Sequence, residues 1–117
     1  MKHFAIGMIF AAATSVPARS ESVMSASQLF QMCDAPKPSS ASLSCEFYIR
    51  GFISGLIVDQ VMAKGKSAVC VPMDVTGVQA RLIAEKYRRS NPEQLHLDAS
   101  AFLGIAFLNA FPCRMSK

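Results

Sequence analysis

The sequence predicts a small all-α fold, an up-and-down bundle of about four helices stapled by two disulfides. Three observations carry this reading. Apolar residues recur at three- and four-residue spacing in four separate stretches. Each stretch is preceded by Ser, Thr or Asp where a helix N-cap belongs. The chain has four cysteines, an even number that suits a disulfide framework in an exported domain.

Export is read from the first residues of the 117-residue chain. Lys2 and His3 precede an apolar run from Phe4 to Ala13, and Val16, Pro17 and Ala18 follow. This is the pattern of a cleaved signal peptide over residues 1–18, the run being too short to span a bilayer. Residues 19–117 then form one domain, placed in the periplasm and without a membrane segment after cleavage. The net charge of +4 is weakly basic and unclustered, with no interleaved aromatic pattern, so nucleic acid is not an expected partner.

All four cysteines, Cys33, Cys45, Cys70 and Cys113, fall in the mature part. No two are two to four residues apart and His96 is the single histidine left after cleavage, so a zinc site is not expected. The absence of Cys-x-x-Cys argues against a thioredoxin-like centre and covalent haem.

Ser25 or Ser27 caps a short first helix with Leu29, Phe30 and Cys33 on one face. Pro36, Pro38, Ser39, Ser40 and Ser42 read as a loop. A second helix is expected to start at Ser44 and reach about Ala63, with apolar residues from Phe47 to Met62 over most of its circumference. Such a helix needs cover on nearly every side, which makes it the central helix or leaves one face for a partner chain. Gly51 and Gly55 sit one turn apart on it, each costing about 1 kcal/mol of helix stability relative to Ala. Close packing by another helix would compensate, inside the bundle in preference to a dimer, so that Gly55→Leu would overpack it.

Gly65 and the lysines Lys64 and Lys66 suit a helix C-terminus. After a loop carrying Cys70 and Pro72, Asp74 or Thr76 caps a third helix to about Arg89, with Val75, Val78, Leu82, Ile83 and Tyr87 as the buried stripe. Gln79, Arg81, Glu85, Lys86 and Arg88 make its wet face. Ser90, Asn91 and Pro92 end it. Asp98 caps a fourth helix to about Ala110, with Phe102, Ile105, Ala106 and Asn109 on one face and Leu103, Phe107 and Ala110 on the next. With helices running up and down, Cys33 lies near Cys45 at one pole and Cys70 near Cys113 at the other, which sets the expected pairing.

Chemistry-bearing groups are sparse. His96 sits between Leu95 and Leu97 as a loop residue, the carboxylates are scattered at helix ends, and no nucleophile-elbow or phosphate-loop motif occurs. The chain is therefore read as a binding protein and not an enzyme, with no cofactor. The favoured contact segment runs from Lys64 to Met73, where Lys64 and Lys66 supply charge, Val69, Val71 and Met73 apolar surface, and a disulfide at Cys70 holds the loop.

Cys45, Tyr48, Gly51 and Gly55, then Cys70-Val71-Pro72, then Tyr87 with Asn91, Pro92, Glu93 and His96, then Phe111-Pro112-Cys113 follow one another in an order and spacing that resemble the Rap/Tai family of type VI secretion immunity proteins. The resemblance covers about residues 25–113. It implies a periplasmic, often dimeric helical protein that binds a peptidoglycan-cleaving amidase effector and blocks its active-site cleft. The alternative is a periplasmic acid-stress chaperone or another envelope binding protein, which would expose apolar surface to many clients.

Overall fold

The computed structural model describes residues 23–114. The expected signal peptide lies outside them. Four helices follow in order: α1 (Ala26–Cys33), α2 (Ser40–Met62), α3 (Gly77–Ser90) and α4 (Ala99–Ala110), with a single 3-10 turn at Pro92–Gln94. Each helix packs on the next, and α4 closes the ring on α1. The bundle and both expected disulfides are present, with Cys33 bonded to Cys45 and Cys70 to Cys113 at Cα–Cα distances of 5.0 and 4.8 Å.

Capping sets the helix starts. Ser25 and Gln28 form a reciprocal capping box on α1, and Thr76 and Gln79 form another on α3. Asp98 accepts from the amides of Ser100 and Ala101 and from the Ser100 hydroxyl, and these bonds lower its pKa. The Ser100 hydroxyl contributes most. The start of α2 differs from the expectation. Ser39 is its N-cap and shares a capping box with Ser42, so the serine-rich stretch begins the helix one turn before Ser44. Ser44 is helical, its hydroxyl donating back to the Ser40 carbonyl.

The core is centred on α4, not on α2. Phe102, Leu103, Ala106 and Phe107 are buried, and Phe102 lies edge-on to Phe30 and Tyr87, with ring centroids 5.5 and 5.2 Å away. Ile105, Asn109 and Ala110, expected on its packed faces, point outward because α4 meets its neighbours along one stripe only. α2 sends Cys45, Ile49 and Ile53 inward and leaves Leu43, Phe47, Val58, Val61 and Met62 exposed. It is long and apolar enough to cross a membrane by length and composition, yet it packs on α1, α3 and α4 and is tied to α1 through Cys45.

The expected stripe of α3 is rotated. Ala80 and Ala84 face the core with Ile83 and Tyr87 half-buried, while Val78 and Leu82 are exposed. The small alanines let α3 approach closely, and the long residues beside them reach the neighbouring helices. Arg81 donates to the Cys33 carbonyl at 2.7 Å and meets Glu46 at 3.5 Å. Arg88 grips Asp34 with two bonds of 2.9 and 3.0 Å and lies 4.8 Å above the Phe30 ring. Arg88 therefore fastens α3 to the end of α1, although its sequence position placed it on the wet face.

No intramolecular helix fills the space over the two glycines of α2. A Cβ built on Gly51 or Gly55 meets nothing within 4 Å, which overturns the expectation of close packing inside the bundle. Gly55→Ala is accordingly expected to raise the stability of the folded monomer by about 1 kcal/mol through helix propensity, read as a higher urea midpoint at unchanged slope. A loss of stability would mean that the site is packed.

Candidate functional site

The segment joining α2 to α3 is built more rigidly than its composition implies. After the Ala63 C-cap, Lys64 and Gly65 take left-handed conformations, with φ of 50° and 84°, and the Lys66 amide donates to the Ala63 carbonyl at 3.1 Å. Glycine adopts this conformation without steric penalty, whereas Lys64 holds it at a cost and so is set by its surroundings. Ser67 is nearly buried and donates to Asp59 at 2.7 Å, tying the turn back onto α2.

Beyond the turn the chain runs antiparallel to the segment that follows α4. Val69 bridges Pro112, the Cys70 amide donates to the Phe111 carbonyl at 2.8 Å, and the Cys113 amide donates to the Ala68 carbonyl at 3.1 Å. The Cys70–Cys113 disulfide closes this two-stranded clasp. The Gln60 side chain brackets Val71, accepting from its amide at 2.7 Å and donating to its carbonyl at 3.1 Å. One polar side chain thus satisfies both backbone groups of a residue that carries no regular secondary structure.

These contacts divide the five expected contact residues into two groups. Lys64, Lys66 and Met73 are exposed, and neither lysine enters an ion pair among the described residues. Val71 is 1 % exposed within the core, and Val69 is half-buried against it. The expectation that both valines face a partner is therefore corrected. They anchor the loop because the clasp turns their side chains inward, leaving the two lysines and Met73 as its outward surface.

A second surface was not anticipated. Between α2 and α3 lies a cleft of about 310 Å³ lined by Lys37, Arg50, Arg81 and Arg89, by Glu46 and Glu85, and by the exposed Val78 and Leu82. Glu46 sits at its centre, 3.8 Å from Lys37, 3.9 Å from Arg50 and 3.5 Å from Arg81. The surplus of cations is readable in the sequence only once the rotation of α3 is known.

His96 lies in an exposed loop with Nδ1 2.9 Å from the Glu93 carbonyl, consistent with the loop role expected for it. No group of three or more His, Cys, Asp and Glu side chains that could hold a metal occurs among the described residues.

A family model described as Rap1a immunity proteins matches residues 25–113, from the cap of α1 to the last cysteine. No curated protein and no solved structure matches the chain.

Proposed function

The chain belongs to the Rap1a immunity protein family, and from that premise we propose that it is a periplasmic protein that binds a peptidoglycan-cleaving amidase effector of a type VI secretion system and blocks it by occlusion. The observation that supports this most is the extent of the family match, which takes in all four helices and both disulfides. Membership carries a type VI effector immunity role and the binding of a cognate effector. The amidase, the periplasmic location behind a cleaved signal peptide, the inhibition without catalysis and the association with a second copy belong to the proposal.

The outward surface of the clasp is the contact we assign. Lys64 and Lys66 steer the loop toward an acidic cleft, which raises the association rate more than the final affinity. Met73 supplies apolar contact once it is buried. Because Val71, Gln60 and the disulfide already hold the backbone, docking orders little additional chain.

The experiment is titration of a candidate type VI amidase effector with the mature chain while cleavage of a peptidoglycan peptide is followed. Stoichiometric loss of cleavage is expected. Lys64→Glu with Lys66→Glu should slow association by about tenfold at low salt, and Met73→Ala should weaken binding by roughly tenfold. Full cleavage in the presence of excess chain would reject amidase inhibition. Inhibition unchanged by all three substitutions would move the contact to another surface, and suppression of unrelated protein aggregation at low pH would favour the chaperone alternative.

A further inference from the structure

The cleft between α2 and α3 holds more positive charge than its own carboxylates use. Each carboxylate already faces more than one cation: Glu46 faces Lys37, Arg50 and Arg81, and Glu85 faces Arg81 and Arg89. Four cations against two carboxylates leave an excess of two positive charges on one concave surface. Lys37, Arg50 and Arg89 are exposed and stand 3.8, 3.9 and 4.0 Å from the carboxylate oxygens they face, too far for a hydrogen bond. The contrast within the same protein is Arg88, whose pair with Asp34 closes at 2.9 and 3.0 Å. Arg81 is likewise committed, donating to the Cys33 carbonyl at 2.7 Å. The three exposed cations of the cleft therefore keep donors for a carboxylate that the chain itself does not supply.

The cleft is longer than a single ion requires. Gly77 forms part of its wall, and a Cβ there would stand 2.6 Å from Nε of Arg50, so the Arg50 side chain lies directly against the first turn of α3. Beyond Lys37 and Glu46 the concavity continues along the start of α2, past Ser39, Ser42 and Leu43. From Ser39 to Arg50 the helix rises about 16 Å, the span of about five extended residues. Val78 and Leu82 beside the cations, and Leu43 farther along, are exposed and add apolar contact.

We infer that this groove docks an extended acidic segment of a partner protein, its Asp or Glu carboxylates received by Lys37, Arg50 and Arg89 and an apolar side chain beside them set on Val78 and Leu82. The groove shares no residue with the outward surface of the clasp, and the inference does not require the partner to be an amidase. Charge complementarity selects the occupant, since arginine takes a carboxylate through two parallel hydrogen bonds. A membrane presents its anionic charge as a plane, which a concave surface with Glu46 at its centre receives poorly, whereas a protruding segment enters it. A lone inorganic anion would leave Val78 and Leu82 uncovered.

The test is an NMR titration of the isotope-labelled mature chain with the peptide Glu-Asp-Leu-Glu-Asp, blocked at both ends. Saturable shifts are expected at the amides around Lys37, Arg50 and Arg89, with binding that weakens as salt is raised. The peptide with Gln and Asn in place of its acids should bind about tenfold more weakly. Arg50→Gln combined with Arg89→Gln should weaken the acidic peptide about as much while thermal unfolding stays unchanged, because exposed ion pairs contribute little to stability. Leu82→Ser should weaken this peptide severalfold and leave a Ser-centred version unaffected. No saturable binding, equal binding of the acidic and amide peptides, or binding indifferent to the arginine substitutions would overturn the site. Displacement of the peptide by an equimolar amount of inorganic phosphate would make the cleft a general anion site and reject the peptide segment. Flotation of the chain with phosphatidylglycerol-containing vesicles, abolished by the arginine substitutions, would assign the cations to a membrane and reject it equally. None of these measurements uses an amidase, so the immunity reading stands or falls by its own experiment.

Discussion

Phe102→Ala is expected to lower the free energy of unfolding by about 3–5 kcal/mol. Phe102 is fully buried at the point where α1, α3 and α4 meet, with Phe30 and Tyr87 presented edge-on to it. Truncation removes the transfer free energy of the ring and leaves a cavity that two disulfide-tethered poles restrain from collapsing. Since a domain commonly has about 5–15 kcal/mol of net stability, this one change consumes much of it. Urea unfolding followed by far-UV circular dichroism should show a lowered midpoint at nearly constant slope. Phe47→Ala provides the contrast, because Phe47 is exposed and its loss should leave the unfolding of the monomer within about 0.5 kcal/mol of wild type. Equal effects at the two positions would mean that the core is not centred on α4.

The second large effect is expected at the clasp. Cys70→Ser combined with Cys113→Ser opens a loop with a sequence separation of 43 residues, which by the loop-entropy relation costs about 4 kcal/mol. The loss is not confined to global stability. Without the bridge, two backbone hydrogen bonds, Cys70 N–H to the Phe111 carbonyl and Cys113 N–H to the Ala68 carbonyl, remain to hold the clasp strands together. Hydrogen exchange should therefore rise first at the Cys70 and Cys113 amides, ahead of the α4 amides, as local opening becomes easier than global unfolding. Protection of Val71 should fall less, since Gln60 holds its amide from α2 independently of the disulfide. If exchange rose uniformly along the chain, the disulfide would act on the unfolded state alone and not as a brace for the loop.

Several features were legible because their causes are local. Asp98 caps its helix as expected, and Ser25 and Thr76 are each one of the two candidates read for theirs, since a cap needs only a short polar side chain and the amides of the next turn. The end of α2 near Ala63 follows from Lys64 and Gly65, whose left-handed backbone stops the helix. The disulfide pairing followed from helix polarity, because antiparallel neighbours place successive helix ends at the same pole. Where polar residues were dense the local signal was ambiguous. Ser39 to Ser42 suit a loop and a capping box equally, and the box prevails because Ser42 has a buried place against the core.

The residues facing outward from α2 and α3 were not legible, nor was the role of the clasp valines. Periodicity identifies an apolar face but not which of two such faces is covered. α2 is apolar around most of its circumference, so its pattern has no single preferred direction. Ala80 and Ala84 carry a weaker hydrophobic signal than Val78 and Leu82, yet they are the residues that allow α3 to approach. Arg81 and Arg88 belong to the wet face by composition and become fasteners once Glu46, the Cys33 carbonyl and Asp34 are brought beside them.

Four capped helices, the pairing of the cysteines and the scarcity of catalytic groups are readable from the residues alone. These follow from interactions within a helical turn and from the alternation of helix ends between two poles. The packing of the helices on one another makes α4 the centre, turns Val71 inward as the anchor of the loop while Lys64, Lys66 and Met73 face outward, and leaves the apolar outer strip of α2 uncovered. The physical reason is that burial belongs to pairs of surfaces. A side chain's own hydrophobicity states what it gains by being covered, whereas the packing of the other three helices decides whether anything in the same chain can cover it.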